Sequence, residues 1–276
     1  MRKRVGKMAQ TTYLADQVVS EAQIQEWVET FHQRGCLFLQ NVLTPDHCAQ
    51  LRQDLEWALK NDPNGLNGGG PERRMHLSHR MFEHSEANRR LFDLEPIVSF
   101  AEALVAENCH VIHNNSFQTF PGGGITSWHQ DDAPHYIVTE GEPPKNVRLP
   151  VLLFTANYYL TDVTEIEHGG TEVVPGSHLF GGSPPNPIEG TEWEDKVQYN
   201  LGKAGSVIMF NNQVWHRGGP NQSQRTRYIT QVTYGRRLVG HKYYPFMNYN
   251  MPESVHKDAS PRLRRLLGFL NHGAYG

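Results

Sequence analysis

The first part of the chain has its apolar residues at helical spacing. In residues 21–34 they recur every three or four positions, which predicts an amphipathic helix that Gly35 ends. The apolar run Cys36–Leu39 follows and predicts a short buried strand. A second helix is predicted to begin at Thr44-Pro45, with threonine as its cap and proline in its first turn, and to run to about residue 60.

The pattern changes from helices to strands at His110. Before it, residues 61–74 are rich in glycine and predict a loop, and helical spacing returns around residues 86–107. After it, short apolar segments alternate with glycine and proline clusters, and an amphipathic helix is predicted over residues 260–270. The predicted strands cover residues 111–120, 147–160, 171–174, 206–210 and 225–234. Helices first and strands later favour a mainly β fold, a double-sheet barrel with α-helices packed outside it, over a parallel sheet.

The length and composition favour one domain without a charged partner. We expect residues 1–20 to be a polar lead-in and residues 21–276 to form a single domain with a sizeable core. The formal net charge is −3, which gives no reason to expect nucleic acid or an anionic membrane as a partner. We expect a small-molecule substrate as the partner, and the sequence leaves open whether the chain forms a homo-oligomer.

Cysteine usage and hydropathy indicate a cytoplasmic location. The three cysteines fit neither a disulfide framework nor a zinc cluster, so a reducing compartment is expected. No apolar run approaches the ~20 residues that cross a bilayer. The charged N-terminus is not followed by the apolar stretch of a secretory signal.

Histidine is the residue type that indicates chemistry. The chain contains 15 histidines, and histidine is the commonest metal ligand. His129 and Asp131 are two positions apart, just after a glycine turn, and side chains at that spacing on a strand project from one face. The pair is a weak signal by itself, because a solvated turn explains most His-x-Asp pairs.

A second histidine motif and an arginine strengthen the signal. His216 follows an apolar strand and is placed to meet His129 and Asp131 across a barrel. Two imidazoles and one carboxylate leave adjacent positions open on a six-coordinate metal, which suits non-haem iron(II) with a bidentate cosubstrate and oxygen. Arg227 is expected on a strand beside that of His216, where its guanidinium is suited to bind a carboxylate. The alternative for Arg227 is a surface arginine, and the apolar neighbour Ile229 favours burial.

These motifs occur together in one order, and as a set they resemble the phytanoyl-CoA dioxygenase family over roughly residues 21–240. The motifs are His129-Gln130-Asp131, Gly169-Gly170-Thr171, Pro175-Gly176-Ser177-His178 and Trp215-His216-Arg217-Gly218, followed by Arg227. The resemblance implies a double-stranded β-helix, also called a jelly roll or cupin-like barrel. It also implies that His129, Asp131 and His216 hold Fe(II), and that 2-oxoglutarate chelates the iron with its distal carboxylate on Arg227.

The activity implied by the resemblance is that of a 2-oxoglutarate-dependent dioxygenase. Such an enzyme consumes O2 and 2-oxoglutarate, releases succinate and CO2, and hydroxylates or otherwise oxidises an unactivated C–H bond of a small or medium-sized metabolite. Gln118 and Thr119 are implied as further cosubstrate contacts, and ascorbate is expected to support activity. Because the carboxylate ligand Asp131 is retained, hydroxylation is favoured over halogenation.

Several positions around this site carry separate expectations. Asn157-Tyr158 stand near the place where the family pattern has a tryptophan. Gly218 stands where relatives often have a serine that would hydrogen-bond to 2-oxoglutarate. Residues 61–74, residues 133–147 and the last helix are expected to build the pocket wall. Asp132 is expected to face solvent, with the orientation of a histidine ligand as the alternative.

Three histidines lie between the glycine-rich loop and the following helical segment. His76, His79 and His84 are expected at a solvated helix edge. The alternative is a cationic substrate entrance that they form together with Arg73 and Arg74.

Three other functions stay open at this point. A hydrolytic zinc enzyme uses the same ligand types, and its lack of dependence on 2-oxoglutarate would distinguish it. A non-catalytic metal-binding barrel and a scaffold with a vestigial site are the others. Neither needs a complete ligand triad together with Arg227.

Overall fold

The computed structural model describes residues 12–61, 68–131, 148–241 and 249–269. Helix α1 (Glu21–Arg34) begins at Ser20, whose hydroxyl accepts a hydrogen bond from the backbone N–H of Gln23. It ends at Gly35, which has a left-handed φ of 72°. Glycine is the usual residue in that conformation, since it has no Cβ to clash. This helix is confirmed with the predicted bounds.

The other elements follow as short strands and helices. Strand β1 (Cys36–Leu39) is confirmed as a strand, but it lies at the edge of the sheet and only Cys36 is fully buried. Helix α2 (Pro45–Asn61) is confirmed, and the Thr44 hydroxyl caps it by accepting from the backbone N–H of His47. The further helices are α3 (Glu86–Arg89), α4 (Ile97–Leu104), α5 (Glu253–His256) and α6 (Pro261–Leu266). The further strands are β2 (Gly68–Gly70), β3 (Met75–His79), β4 (His110–Thr119), β5 (Leu153–Tyr159), β6 (Thr171–Val173), β7 (Gln198–Tyr199), β8 (Val207–Asn211), β9 (His216–Gly218) and β10 (Arg227–Gly235).

The strands form two antiparallel sheets. In the seven-stranded sheet they lie in the order β1-β8-β5-β10-β4-β3-β2, and in the three-stranded sheet in the order β7-β6-β9. Because successive side chains point to opposite faces, each sheet turns one face towards the other. The predicted mainly β fold with flanking helices is confirmed.

The seven-stranded sheet has an apolar core on each face. On the outer face it packs against α1 and α4, where Phe31, Phe100 and Phe154 meet edge to face with ring centroids 5.5 to 5.8 Å apart. On the inner face, Ile229 of β10 and Val173 of β6 belong to a smaller core between the two sheets. This smaller inner core leaves space between the sheets for the site.

The structure differs from the predicted elements in three places. The predicted loop of residues 61–74 contains β2, which pairs with β3. His76 and His79 therefore lie on β3, between β2 and β4, and not on a helix edge. The helical segment of residues 86–107 is interrupted, because Pro96 has no N–H to continue a helix and restricts the residue before it. Strand β5 begins at Leu153, and the described residues 148–152 of the predicted strand are not part of it, since Pro150 cannot donate to a sheet ladder.

The last helix does not lie where the sequence analysis expected it. Arg262 and Arg265 of α6 bind the Glu102 carboxylate of α4, and Arg265 also donates to the Cys109 carbonyl. These contacts anchor the described part of α6 beside the start of β4, away from the lining of the cavity below, so its predicted role in the pocket wall is wrong. Residues 133–147 and Asp132 lie outside the described residues. Within the described ranges, no helix is both long and apolar enough to cross a membrane.

Candidate metal centre

Two chain segments meet at His129 and His216. The backbone N–H of each histidine donates to the carbonyl of the other, at 3.0 and 2.9 Å, which forms an isolated antiparallel bridge. The Asp131 N–H donates to the Asn212 carbonyl at 2.8 Å. These backbone bonds fix both segments before any metal binds, so the three side chains share one location.

The three side chains offer ligand atoms that all lie within 4.8 Å of one another. Asp131 Oδ1 is 3.5 Å from Nε2 of His216 and 4.0 Å from Nε2 of His129. The sequence analysis expected His129 and Asp131 to share a face of a regular strand. In the structure His129 forms only an isolated bridge and not a regular strand. The side chains of His129 and Asp131 nevertheless point to the same side. Within the described ranges this is the one such group of histidine, cysteine and acidic residues.

Each histidine is held by its second ring nitrogen. Nδ1 of His129 donates to the Ser127 carbonyl at 2.9 Å, and Nδ1 of His216 donates to the Val214 carbonyl at 2.8 Å. A carbonyl only accepts, so the proton sits on Nδ1 and the lone pair of Nε2 is directed towards Asp131. Metal-binding histidines commonly have their other nitrogen fixed in this way.

The protonation state also fits a metal. Burial, reinforced by the nearby His216, lowers the pKa of His129 below its ordinary value. A neutral imidazole is the form that binds metal. The donor set of two imidazole nitrogens and one carboxylate oxygen therefore fits a divalent transition metal with open positions.

The three side chains open onto a cavity of about 180 Å³ between the two sheets. It is a small cavity, enclosed on the side of the two sheets. Phe210 and Ile229 are among its apolar lining residues, and β4, β5 and β10 each contribute polar side chains. Asn157, the position that departs from the family pattern, and Gly218 both line it.

Arg227 lies on the inner wall of this cavity. It is 7% exposed, and its Nη1 donates to the Gly219 carbonyl at 3.0 Å. Its Nε is buried and forms no hydrogen bond within the part of the chain that the structure describes. Burial lowers the pKa of Arg227 to about 10. A buried guanidinium with an unused donor is costly unless a carboxylate completes it.

The strand of Arg227 is placed differently from the prediction. Strand β10 pairs with β4 and β5 in the seven-stranded sheet, while β9, which begins at His216, belongs to the three-stranded sheet. The expectation that the two strands run side by side is wrong. Arg227 reaches the metal-ligand side across the gap between the sheets, through the loop carbonyl of Gly219.

Gln118 and Thr119, the two residues expected to contact the cosubstrate, point to opposite faces of β4. Thr119 lines the cavity, opposite Arg227 in the register of β4 and β10. Gln118 points to the other face of β4, where its amide donates to the Tyr228 hydroxyl at 2.9 Å. The period of two along a strand makes it impossible for both to face the same cavity. Gln118 is therefore not brought to the site.

The sequence analysis missed an ion pair behind the histidines. Glu172 of β6 is 3% exposed and accepts a hydrogen bond from Arg217 Nε at 2.7 Å. The Arg217 guanidinium also lies 4.8 Å from the ring centre of Trp128. Trp128 and Arg217 are chain neighbours of the two histidines, so this group joins both histidine segments from behind. Only their adjacency to the two motifs could have indicated it.

The chain matches one protein family and resembles proteins with solved structures. The family described as "Phytanoyl-CoA dioxygenase (PhyH)" matches residues 31–229. Dioxygenase trt7 of Aspergillus terreus is 25% identical over 153 residues, which are 55% of this chain and 49% of that protein. Dioxygenase andF of Emericella variicolor is 28% identical over 155 residues, which are 54% of this chain and 48% of that protein. The chain therefore spans about half the length of the curated relatives it matches.

The solved structures support the fold. The 2-oxoglutarate-dependent epimerase SnoN from nogalamycin biosynthesis superposes with a TM-score of 0.59 at 18% identity, over 78% of this chain and 84% of that chain. HygX from Streptomyces hygroscopicus, with nickel, 2-oxoglutarate and hygromycin B bound, gives a TM-score of 0.61 at 16% identity, over 81% and 90%. At these identities the likeness concerns the fold, which is the predicted cupin-like jelly roll.

Proposed function

Since this chain belongs to the phytanoyl-CoA dioxygenase family, we propose that it is an Fe(II)- and 2-oxoglutarate-dependent oxygenase. His129, Asp131 and His216 are the proposed iron ligands. The observation that carries the proposal is the combination of these three converging ligand atoms with the buried, incompletely bonded guanidinium of Arg227 in one cavity. One part of that combination accepts a metal, and the other accepts a dicarboxylate.

Each part of the chain has a defined task in this proposal. The Nδ1–H bonds to Ser127 and Val214 keep both imidazoles in the tautomer that leaves Nε2 available. Asp131 supplies the negative charge that a divalent cation needs. When bound, iron with 2-oxoglutarate and O2 supplies oxidation of an unactivated C–H bond, with release of succinate and CO2. The cavity walls exclude water and hold the substrate near the ligands.

Arg227 has the task of orienting the cosubstrate. Its unused Nε–H and the second terminal nitrogen can pair with one carboxylate in a fork, which fixes both position and direction. Thr119, directly opposite in the strand register, is placed to add a hydroxyl contact. Gly218 has no side chain to replace the serine of the family pattern, so Arg227 and Thr119 are left to bind this end of the cosubstrate.

The same arginine weighs against the alternative functions. A hydrolytic zinc site needs three ligands, a water and an open position, but no buried cation deeper in the cavity. A non-catalytic barrel has no need to keep an incompletely bonded guanidinium, which costs stability. Arg227 therefore favours the oxygenase.

The substrate and the setting are part of the proposal. A cavity of about 180 Å³ favours the smaller end of the small or medium-sized metabolites, and hydroxylation is the favoured outcome. We propose residues 21–276 as one oxygenase domain. Within the described ranges, the three cysteines are buried free thiols, which supports a reducing, cytoplasmic setting.

Binding of metal and cosubstrate to the protein tests this function directly. Metal-free protein would be titrated with Fe(II) without oxygen, and then with 2-oxoglutarate, by calorimetry. We expect one Fe(II) per chain, and 2-oxoglutarate binding that requires the metal. Zinc binding without any 2-oxoglutarate binding would support the hydrolase and contradict the oxygenase.

A further inference from the structure

A row of polar side chains crosses the inner face of the seven-stranded sheet. Asn115, Gln231 and Asn157 lie directly opposite one another on the adjacent strands β4, β10 and β5, and His79 continues the row on β3. Directly opposite residues have Cβ atoms about 4.5–5.5 Å apart on the same face. We call Asn115, Gln231 and Asn157 the amide row, and all three line the cavity.

The amide row is separated from the arginine by an apolar layer. Along β10, every second residue faces the cavity, so Arg227, Ile229 and Gln231 follow one another on that face. Phe117 and Tyr159 lie opposite Ile229 on the two neighbouring strands. Gln231 is about 13 Å along the strand from Arg227. The row therefore lies in the part of the cavity that the carboxylate end of the cosubstrate leaves for the substrate.

Hydrogen bonds inside the row use only part of its capacity. Gln231 Nε2 donates to Asn157 Oδ1 at 3.1 Å, and Asn157 Nδ2 donates to Thr171 Oγ1 at 3.3 Å. Asn115 Oδ1 accepts from His79 Nδ1 at 2.9 Å. Asn115 Nδ2 and Gln231 Oε1 form no hydrogen bond within the described residues.

The unused atoms are a donor and an acceptor on neighbouring strands. Asn115 is 4% exposed and Gln231 is half-buried, and both line the cavity. A bound molecule that bonds to both atoms gains two hydrogen bonds at a wall that is largely shielded from solvent. A site of this kind rejects analogues that lack the matching groups far more strongly than an apolar pocket does.

The charges near the row limit what can bind. Among the described lining residues, the arginines are Arg217 and Arg227. Arg217 is engaged with Glu172, and Arg227 is assigned above to 2-oxoglutarate. A polyanion such as a coenzyme A thioester would therefore have no cation for its charge on this wall.

We propose that Asn115 and Gln231 bind the primary substrate through a neutral group that presents one acceptor and one donor side by side, as a carboxamide or lactam does. Asn157 holds Gln231 in position for this contact, with Thr171 behind it. The proposal names the substrate class of the oxygenase function proposed above and rests on it.

Binding of a matched set of probes tests this specificity without turnover. Zinc-loaded protein, saturated with 2-oxoglutarate, would be titrated by calorimetry with aryl carboxamides and bicyclic lactams. Each probe is paired with its N-methylated amide and its carboxylate; benzamide, N,N-dimethylbenzamide and benzoate form the smallest set. We expect the best carboxamide or lactam to bind at least about tenfold more tightly than both counterparts.

Two glutamine-to-methionine substitutions distinguish the effect of the amide row on probe binding from that of a glutamine elsewhere in the sheet. Gln231→Met keeps the size and removes the acceptor, so we expect it to weaken the best probe about tenfold to a hundredfold. Gln118→Met, on the opposite face of β4, should leave probe binding unchanged. If Gln231→Met does not fold, Asn115→Asp removes the donor at the same size and should cause the same loss.

Three results would overturn the proposal. They are binding of a carboxylate or N-methylated counterpart as tightly as its amide, equal binding by the Gln231 and Gln118 variants, and no binding by any amide probe. Failure of the oxygenase function itself is seen separately, as a wild-type protein that does not bind 2-oxoglutarate in the preceding titration.

Discussion

At the scale of single residues, a substitution of Arg227 tests whether its guanidinium binds the cosubstrate or is only a buried structural cation. In the proposed site, Arg227→Ala removes the charge-assisted hydrogen bonds to the distal carboxylate of 2-oxoglutarate and leaves the three proposed metal ligands in place. We expect the 2-oxoglutarate concentration for half-maximal binding or activity to rise about tenfold to a hundredfold or more, with metal content unchanged.

Arg225 provides the control for that substitution. It lies two positions earlier, and its guanidinium contacts the His168 ring and not the cavity. Arg225→Ala should therefore leave the 2-oxoglutarate dependence as it is. An unchanged 2-oxoglutarate dependence in Arg227→Ala would remove Arg227 from the cosubstrate site.

His178 gives a residue-scale prediction about acid stability. Its Nε2 donates to the His32 carbonyl at 3.1 Å, and burial lowers its pKa to about 4. Between pH 6.5 and 4 the unfolded chain therefore binds a proton that the folded chain does not, so stability falls as pH falls. The loss over that window is about 3 kcal/mol, from 1.36 kcal/mol per pK unit.

Replacing this histidine should weaken the acid dependence. In His178→Gln, urea unfolding between pH 7 and 4 should show a smaller fall in the free energy of unfolding than in the wild type. His76→Gln, at an exposed position of β3, is the control and should keep the wild-type slope. A His178→Gln slope equal to that of the wild type would contradict the linkage.

At the scale of elements, the junction of α1 and β1 depends on Gly35. Its φ is 72°, and a Cβ there would lie 2.3 Å from Val214 Cγ2 and 2.5 Å from His178 Nδ1. Gly35→Ala combines an unfavourable backbone conformation with a steric clash, so we expect a loss of about 3 kcal/mol in unfolding free energy.

Gly190 isolates the backbone part of that loss. Its φ is 81°, and a Cβ there would meet no atom within 4 Å. Gly190→Ala should therefore cost less, about 1 kcal/mol, in the same urea or thermal unfolding measurement. Equal losses for the two variants would show that the contact of Gly35 with Val214 and His178 is unimportant.

The pairing of β6 and β9 gives a second element-scale prediction. Glu172 and Arg217 lie opposite each other in these strands, and Glu172 is buried. Arg217→Ala leaves that carboxylate without its cation, which should cost about 3–5 kcal/mol. In the double variant Arg217→Ala, Glu172→Gln, part of this loss should be recovered.

A double-mutant cycle measured by urea unfolding tests that coupling. The single variant Glu172→Gln completes the cycle. It gives the free energy of unfolding with a neutral side chain beside Arg217. Additive losses would mean that the two side chains do not act as a pair. The coupling would then have no part in holding the two histidine segments together.

The sequence predicted local features well and cross-strand features poorly. Helix α1 followed from the spacing of its apolar residues. The convergence of His129, Asp131 and His216 followed from the spacing of their motifs and the resemblance of those motifs to a family. The amide row was not predicted, because strand register is set by tertiary packing and not by local pattern. Strand β2 was missed because its three glycines have low strand propensity and gain their pairing only from β3.

For Arg227, the sequence predicted the burial of the side chain correctly but not the sheet to which its strand belongs. Its distance from His216 along the chain and the apolar Ile229 beside it indicated a buried guanidinium, and it is buried. Its neighbouring strand was wrong, because the chain between His216 and Arg227 crosses from one sheet to the other. A sequence contains no direct signal for which of two sheets receives a strand.

At the scale of the whole molecule, two sheets hold the metal ligands on one side and the arginine on the other. The three-stranded sheet and its loops carry His216, while β10 of the seven-stranded sheet carries Arg227. The cavity exists because the inner core between the sheets does not fill the space. The proposed catalysis therefore depends on the packing of both sheets and on no single element.

Succinate formation tests the central claim most directly. Protein with Fe(II), ascorbate, O2 and 2-oxoglutarate would be assayed with a metabolite panel, beside Asp131→Ala and a surface control, Asp195→Ala. We expect iron-dependent succinate in the wild type and in Asp195→Ala that rises with a panel member, and none in Asp131→Ala. Normal turnover in Asp131→Ala, or no succinate from the wild type under any condition, would contradict the proposed iron site.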